Sequence, residues 1–471
     1  MSLASGPSRP TTTGEPRVHP LTSTEPTGAT PGAVAPLPDG VELVAVQWVD
    51  VHGATKAKLV PRGAWAATVG ATPGPGGDGG GAGFAAFANH GFARGPEHPE
   101  LVAMPDPTTL TVLPHRPNVA VAFSTVMDGE RVATCDARSI LARQVALATE
   151  RGLAPVAGME PEFFLLRETE DGTLAPFDEL DGLDKPCYDL GALLRTGDVL
   201  GEIVGAMEQL GWGVSALDHE DGNGQYEINF HHADALTTAD RFTLLRTLIG
   251  DIAGRHGAIA SFMPKPLTGR TGSGAHVHLS ALDEEGENAF ADAADPRGLG
   301  LSRTGYAFLG GVLAHARGLA ALTMPTVNSY RRLHSSGGSS GARWAPDAIV
   351  YGGNDRTTML RVPGPGRFED RAVDSSCNAY LALAGIVAAG LDGVDRGLDP
   401  GAPLSGAGGA GAGTLPRTLA EALDALEADV LLRDALGEEA VCELIAVKRM
   451  EWGSYMESVT AWERETYLRR L

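Results

Sequence analysis

Long apolar runs are missing from this chain of 471 residues, and none approaches the ~18 to 20 residues that a membrane-crossing helix needs. Nor does the N-terminus pair a basic stretch with an apolar one, so no secretory leader is expected and the protein is read as cytoplasmic. Cysteine is scarce. Cys135, Cys187, Cys377 and Cys442 lie far apart with no metal-like spacing, which argues against a disulfide framework or a zinc site and leads to an expectation of buried thiols. Positive charge is also short: 37 Lys and Arg against 59 Asp and Glu leave a net −22. Nucleic acid and anionic membrane are therefore excluded as partners, because binding them needs a basic face. Anionic small substrates stay open, provided that local arginines and metal ions reverse the field. There is no G-x-x-x-x-G-K-S/T loop, no kinase signature and no internal repeat, which removes the common nucleotide folds.

What the chain does contain is enough apolar sequence, 43%, for a large core and more than one domain. Residues 1–38 are rich in Pro, Thr, Ser and Gly and read as a disordered tail. From Val41, VELVAVQWVDV and ATKAKLVP form two strands around a His52-Gly53 turn. Residues 71–83 are too glycine-rich for an element interior, FAAFANHGF follows, and 104–128 supply further strands. With Asp136 as an N-cap, a helix opens towards Glu150, so the boundary of a β-rich domain (39–129) is placed near 130. Beyond it strands and helices mix: VAGMEPEFFLL, QYEINF, HVHLS and MLRV as strands, Gly197–Leu210, Thr238–His256, Ser302–Leu322 and Ser376–Gly390 as helices. A second glycine-rich loop (405–413) precedes a helical C-terminus.

Several short stretches repeat one pattern, paired polar residues two apart. In RFEDR, Arg367, Glu369 and Arg371 share a strand face, a row of cation, carboxylate and cation that suits a metal and anionic phosphates as well as a salt-bridged surface. Glu160 and Glu162 alternate on the otherwise apolar GMEPEFFLL, where two like charges on one face call for solvent or for a divalent cation. DHEDGNGQYE brings Glu220 and Glu227 across a turn. GRTGSGAHVHLS leads a glycine-rich loop into His276 and His278, two potential ligands on one face. NSYRRL and GGNDRTTMLR add Arg331, Arg332, Arg356 and Arg361. Taken singly, each also has a plain reading as a solvated or salt-bridged surface, the arginines above all, whereas the Glu160–Glu162 pair is better read as a metal site. Together they make the set that two cations bridging phosphate oxygens, with arginines spreading the charge of a transferred phosphoryl group, would use.

In GMEPEFFLL, MPKPLTGRTGSGAHVHLS, NSYRRL and RFEDR, in that order, the chain resembles the glutamine synthetase superfamily from about Val41 to its C-terminus. The resemblance implies an α+β protein, with a small N-terminal β-grasp domain and a larger catalytic domain (130–471) built on a curved antiparallel sheet flanked by helices. It implies active sites between neighbouring subunits of two stacked hexameric rings. It also implies ATP-dependent phosphorylation of the γ-carboxylate of L-glutamate, followed by displacement of phosphate by an amine. Carried over by motif, Glu162, Glu220 and Glu227 would hold one Mg2+ or Mn2+, and Glu160, His276 and Glu369 a second, two or three cations serving each site. His278 and Ser280 would face ATP, with Arg356, Arg361 and Arg367 on its phosphates. Glu162, Gly272, Arg332 and Arg371 would grip glutamate, and Arg332, Arg356 and Arg371 would serve catalysis.

Departures from that family's pattern bear on the amine. The aspartate that attracts ammonium in ammonia-using members falls at Ala86, in FAAFANH, and the glutamate of their flap falls at Trp344, in HSSGGSSGARWAP. Neither stretch holds an acid. Ala86, Phe87 and Trp344 would instead favour an alkylated amine through apolar contact and cation–π attraction of ~0.5 to 2 kcal/mol. His90 is near enough to be weighed as the group that deprotonates it, against a plain surface histidine. Thr271 stands where the glutamate loop usually has asparagine, and no tyrosine lies between Tyr380 and Tyr455, where the family's adenylylation target would be. The flap and YGGNDRTTMLRVPGPGRFE resemble the branch of glutamate-methylamine ligases, also called γ-glutamylmethylamide synthetases. The expectation is a γ-glutamylamide synthetase using a small primary amine. An ammonia-using glutamine synthetase and a catalytically silent ligand sensor are the alternatives.

Overall fold

A computed structural model describes residues 36–70, 80–86, 95–334, 340–342, 344–404 and 413–470. Most of the expected tail and of the two glycine-rich loops, together with Phe87, His90, 335–339 and Arg343, lies outside the described residues. The alternation of LVAVQWV builds strand Leu43–Val49, antiparallel to Thr55–Pro61 and parallel to Arg116–Asp128. Strands Leu101–Pro105 and Ala82–Phe84 extend this sheet on the other side of Arg116–Asp128. Val44, Val46 and Trp48 point into its core, and the Trp48 indole stacks on Phe84 at 4.1 Å between centroids. That is the β-grasp portion.

The second sheet has ten strands, and its middle is strand Ala154–Glu168. Across it run, in order, Val214–His219, Gln225–Phe230, Ala154–Glu168, Ala275–Leu282, Arg367–Asp370, Leu360–Gly364 and Tyr351–Gly352. All these pairs are antiparallel except the last. The long helix Ala235–Arg255 buries Leu244, Leu245, Leu248 and Ile249 against this sheet. Helix Ala379–Arg396 is apolar nearly all round and accordingly buried, as a core helix must be. It starts at Asn378, whose side chain accepts from Leu381 N, and runs six residues past the expected end at Gly390. Asp136 caps Ala137–Thr149 by accepting from Ser139 N, as its sequence position suggests.

The hairpin turn of the first sheet docks on this core. Gly53 has φ +77°, and a Cβ there would come within 2.7 Å of Asn378 Cα, so only glycine fits. Behind it the buried Arg246 guanidinium donates to the carbonyls of Gly53, Ser375 and Cys377. Burial lowers its pKa, against a weaker pull from Asp50. Residues 34–471 thus form one unit.

Two expectations need correction. Residues 302–322 are two helices, Arg303–Ala314 and Ala316–Thr323, because His315 breaks the run. Its Nδ1 meets Asp429 Oδ2 at 2.7 Å and its Nε2 meets Asp392 Oδ2 at 3.1 Å, which anchors the break. The thiols are not uniformly buried either: Cys377 is, Cys135 and Cys187 are half-buried, and Cys442 is exposed on a C-terminal helix.

Burial alone would lower the His315 pKa, but the two aspartates outweigh it and raise it. The folded chain therefore holds this proton more tightly, and the stabilisation is present below the ordinary histidine pKa and lost as pH rises through the raised one. We expect His315→Gln to lower the melting temperature more at about pH 6 than at about pH 9. Equal losses at both pH values, read by calorimetry, would contradict this.

Candidate active site

The central strand changes partners halfway along. Residues 154–161 pair with Ala275–Leu282, whereas 162–164 pair with Gln225–Phe230. Register then does the rest: Glu160 lies opposite His276, Glu162 opposite Glu227, and Glu369 opposite both His278 and Arg361. Because side chains alternate along a strand, Glu160 and Glu162 fall on one face and their partners join them. His276 sits in the middle, with Nδ1 3.4 Å from Glu160 and 3.5 Å from Glu369, and Nε2 3.8 Å from Glu162.

Two sets of donor atoms converge tightly enough for a cation. Glu160, His276 and Glu369 form one, Glu162, Glu227 and His276 the other, each within 4.8 Å. The first matches the expected grouping. In the second, His276 stands where Glu220 was expected, and Glu220 lines the adjoining cavity instead. That cavity, of about 230 Å3, is also lined by Glu162, Glu227, Gly272, Arg332, Arg356, Arg371 and Trp344. The glycine-rich loop wraps closely over it: a Cβ on Gly274 would lie 2.7 Å from His276 Nε2 and 2.8 Å from an Arg332 nitrogen.

The row of cation, carboxylate and cation is present with one member changed. Glu369, fully buried, accepts from Arg361 at 2.7 Å and from Arg371 at 2.5 Å. Arg367 opens its strand beside a turn and is exposed; burial, then His231 and Arg367, hold the nearby His232 below the ordinary histidine value. Arg361 also grips Asn354 Oδ1. His278 Nε2 donates to Glu160 Oε1, 2.8 Å away. Ser280 continues the same strand face opposite Val156. Ala86, by contrast, is packed in the core of the first sheet and does not line the cavity.

Electrostatics fit a site built for cations. Burial, followed by repulsion from Glu162, pushes Glu220 up to about 8, and burial with three neighbouring carboxylates raises Glu227 well above its ordinary value. Burial raises Glu160 as well, but hydrogen bonding to His276 and His278 outweighs it and holds Glu160 below the usual range. Burial and Arg371 lower His276, favouring the neutral imidazole that ligates metals. Arg332 is buried and donates to the carbonyls of Ala372 and Arg371, and that burial lowers its pKa against the pull of Asp374 and Glu162. Its hydrogen bonds go to carbonyls rather than to a carboxylate oxygen, and it lines the cavity wall.

Some participants were not singled out from sequence. Gln225 donates to Glu162 Oε2 and to Gly272 O, orienting both. Cys187, Tyr188, Ala342 and Ala345 line the cavity, and Tyr188 holds a left-handed φ of +64°. Asp221 supplies an acid beneath Trp344, accepting from its Nε1 at 2.9 Å. Its sequence signal was weak, one acid among several in a turn.

Without a cation, the folded chain holds a proton at Glu220 that the unfolded chain releases, so stability falls as pH rises towards about 8. A bound cation removes this cost. Added Mg2+ should therefore raise the melting temperature more at about pH 8.5 than at about pH 6.5, and Glu220→Gln should flatten the difference.

Comparison with known proteins bears directly on this geometry. The family model described as glutamine synthetase, catalytic domain, matches residues 134–467. A glutamine synthetase of Rhizobium meliloti (strain 1021) is 43% identical over 437 residues, covering 91% of this chain and 97% of that one. A glutamate–methylamine ligase of Methyloversatilis universalis is 43% identical over 438 residues, covering 91% and 96%. A solved structure of a GmaS/ADP complex superimposes with a TM-score of 0.84 at 42% identity, covering 91% of this chain and 97% of that chain. By the family model over most of the chain and by relatives above 40% identity, the chain belongs to the glutamine synthetase family.

Proposed function

We propose that this ligase joins a small primary amine, of the size of methylamine or ethylamine, to the γ-carboxylate of L-glutamate at the expense of ATP, through a γ-glutamyl phosphate. The observation that carries the reading is Trp344 on the cavity wall, where an ammonia-using relative would place a glutamate. Likeness to the methylamine ligase of Methyloversatilis universalis supports it.

In this reading Arg332 receives a carboxylate of glutamate, with Gly272 leaving room for the substrate chain. Arg371 is fully engaged, through Glu369, Arg356 O and Trp344 O, and so holds the arginine cluster and the Trp344 backbone in register. Arg356, on the same wall, faces the phosphoryl group in transit. Arg361 and Arg367 serve the outer phosphates, and His278 and Ser280 the nucleotide side. Divalent cations held by Glu160, His276 and Glu369, and by Glu162, Glu220 and Glu227 with His276, would neutralise the phosphate oxygens that meet there. We further propose that the ligase is a dodecamer of two stacked hexameric rings; Ala86, buried in the core of its own first sheet, is not a residue that meets the amine.

Equal identity to the Rhizobium meliloti glutamine synthetase favours the second reading, in which ammonium is the nucleophile. Phosphate release with ATP, Mg2+ and glutamate separates them. Methylamine or ethylamine should exceed ammonium by about tenfold or more at equal free amine, a difference of ~1.4 kcal/mol in transition-state binding. If ammonium wins, this is a glutamine synthetase with an unusual flap. Trp344→Glu should cut the alkylamine-to-ammonium ratio by about tenfold, measured as kcat/KM.

A further inference from the structure

We propose that Asp221 is a positioning residue for the amine pocket, fixing the Trp344 indole against the cavity and tying it to the loop that carries Gly272. This rests on the amine-pocket reading of Trp344. Asp221 is 1% exposed, and three donors from two separate parts of the chain converge on its single oxygen Oδ2. Trp344 Nε1 donates at 2.9 Å, Ser340 Oγ at 2.5 Å and Thr271 Oγ1 at 2.9 Å. The Cys187 thiol donates to the other oxygen at 3.6 Å. Burial and the neighbouring acids push that thiol up to about 12, so it stays a donor.

A carboxylate oxygen suits such a cluster of N–H and O–H donors better than an amide oxygen does, because charge strengthens each bond. The convergence has a specific consequence for Trp344. Its indole N–H is held by Asp221, while its backbone carbonyl accepts from Arg371 at 3.5 Å. With both ends held, the ring is a wall of fixed position, which a small cation needs if it is to gain from the aromatic face. Thr271 precedes Gly272 on the cavity wall, so the carboxylate that fixes the amine side also steadies the glutamate side.

An acid is therefore retained near the place from which the flap glutamate is missing, with its oxygens engaged by protein donors. Asp221 acts through Trp344 and Thr271 and does not itself line the cavity. This accounts for its burial, which a group meant to bind the amine directly would not have.

The test uses the full-length protein and whichever amine the wild type turns over best, so an ammonium preference would sink the amine reading and leave Asp221 testable. Asp221→Asn, Trp344→Phe and the double variant are compared for the KM of amine, glutamate and ATP, with melting temperature measured alongside. Asp221→Asn should raise the amine KM about tenfold and the ATP KM less than about twofold. Trp344→Phe, which loses the donor and keeps an aromatic ring, should do the same, and the double variant should be no worse than either single one. Multiplying effects in the double variant would overturn the proposal. So would parallel rises in all three KM values, the mark of general disruption. Should Asp221→Asn fail to fold, an unchanged amine KM in Trp344→Phe overturns it alone, and a selective rise supports it.

Discussion

Strand register forces together carboxylates that would otherwise separate. Glu160 and Glu162 are two apart on one strand, and pairing on each side sets His276 and Glu227 against them. Neither residue can turn away without slipping the register, and a one-residue slip would throw the apolar Met159 and Phe163, both buried, onto the wrong face. The hydrophobic core thus holds the charges in place. Burial, with repulsion from these acids added to it, raises the pKa values of Glu220 and Glu227, and a divalent cation would relieve both.

Opposite charge is distributed by the same logic. Glu369 is fully buried between Arg361 and Arg371, so its charge is compensated on both oxygens, the condition under which a buried carboxylate is tolerated. Arg371 then spends its remaining donors on the carbonyls of Arg356 and Trp344. A single buried pair therefore reaches from the carboxylate cluster to the segment bearing Trp344. Arg332, unlike Arg361 and Arg371, donates to carbonyls and not to a carboxylate oxygen.

Among the described residues no helix is long and apolar enough to cross a membrane. The net charge of −22 coexists with a local arginine cluster, so the average field says little about the site. This is how an acidic protein of this family can receive anionic substrates.

Sequence by itself determined the elements and the inventory. Alternating apolar residues defined the strands, Asp136 its helix cap, and the Glu-x-Glu and His-x-His spacings set which side chains share a face, because these are local properties of the backbone. The family motifs named the residue set. Tertiary structure alone decided how that set is shared out. Arg361 takes the place beside Glu369 that the period of two suggested for Arg367, because cross-strand pairing brings it there while Arg367 opens its strand into solvent. His315 splits a run that reads as one helix, because its aspartate partners come from residues 392 and 429. Trp344 meets an acid that its own stretch lacks, since Asp221 lies 123 residues away in the chain. Local pattern fixes which face a side chain takes, whereas the neighbour it finds there depends on which distant strand or loop is packed beside it.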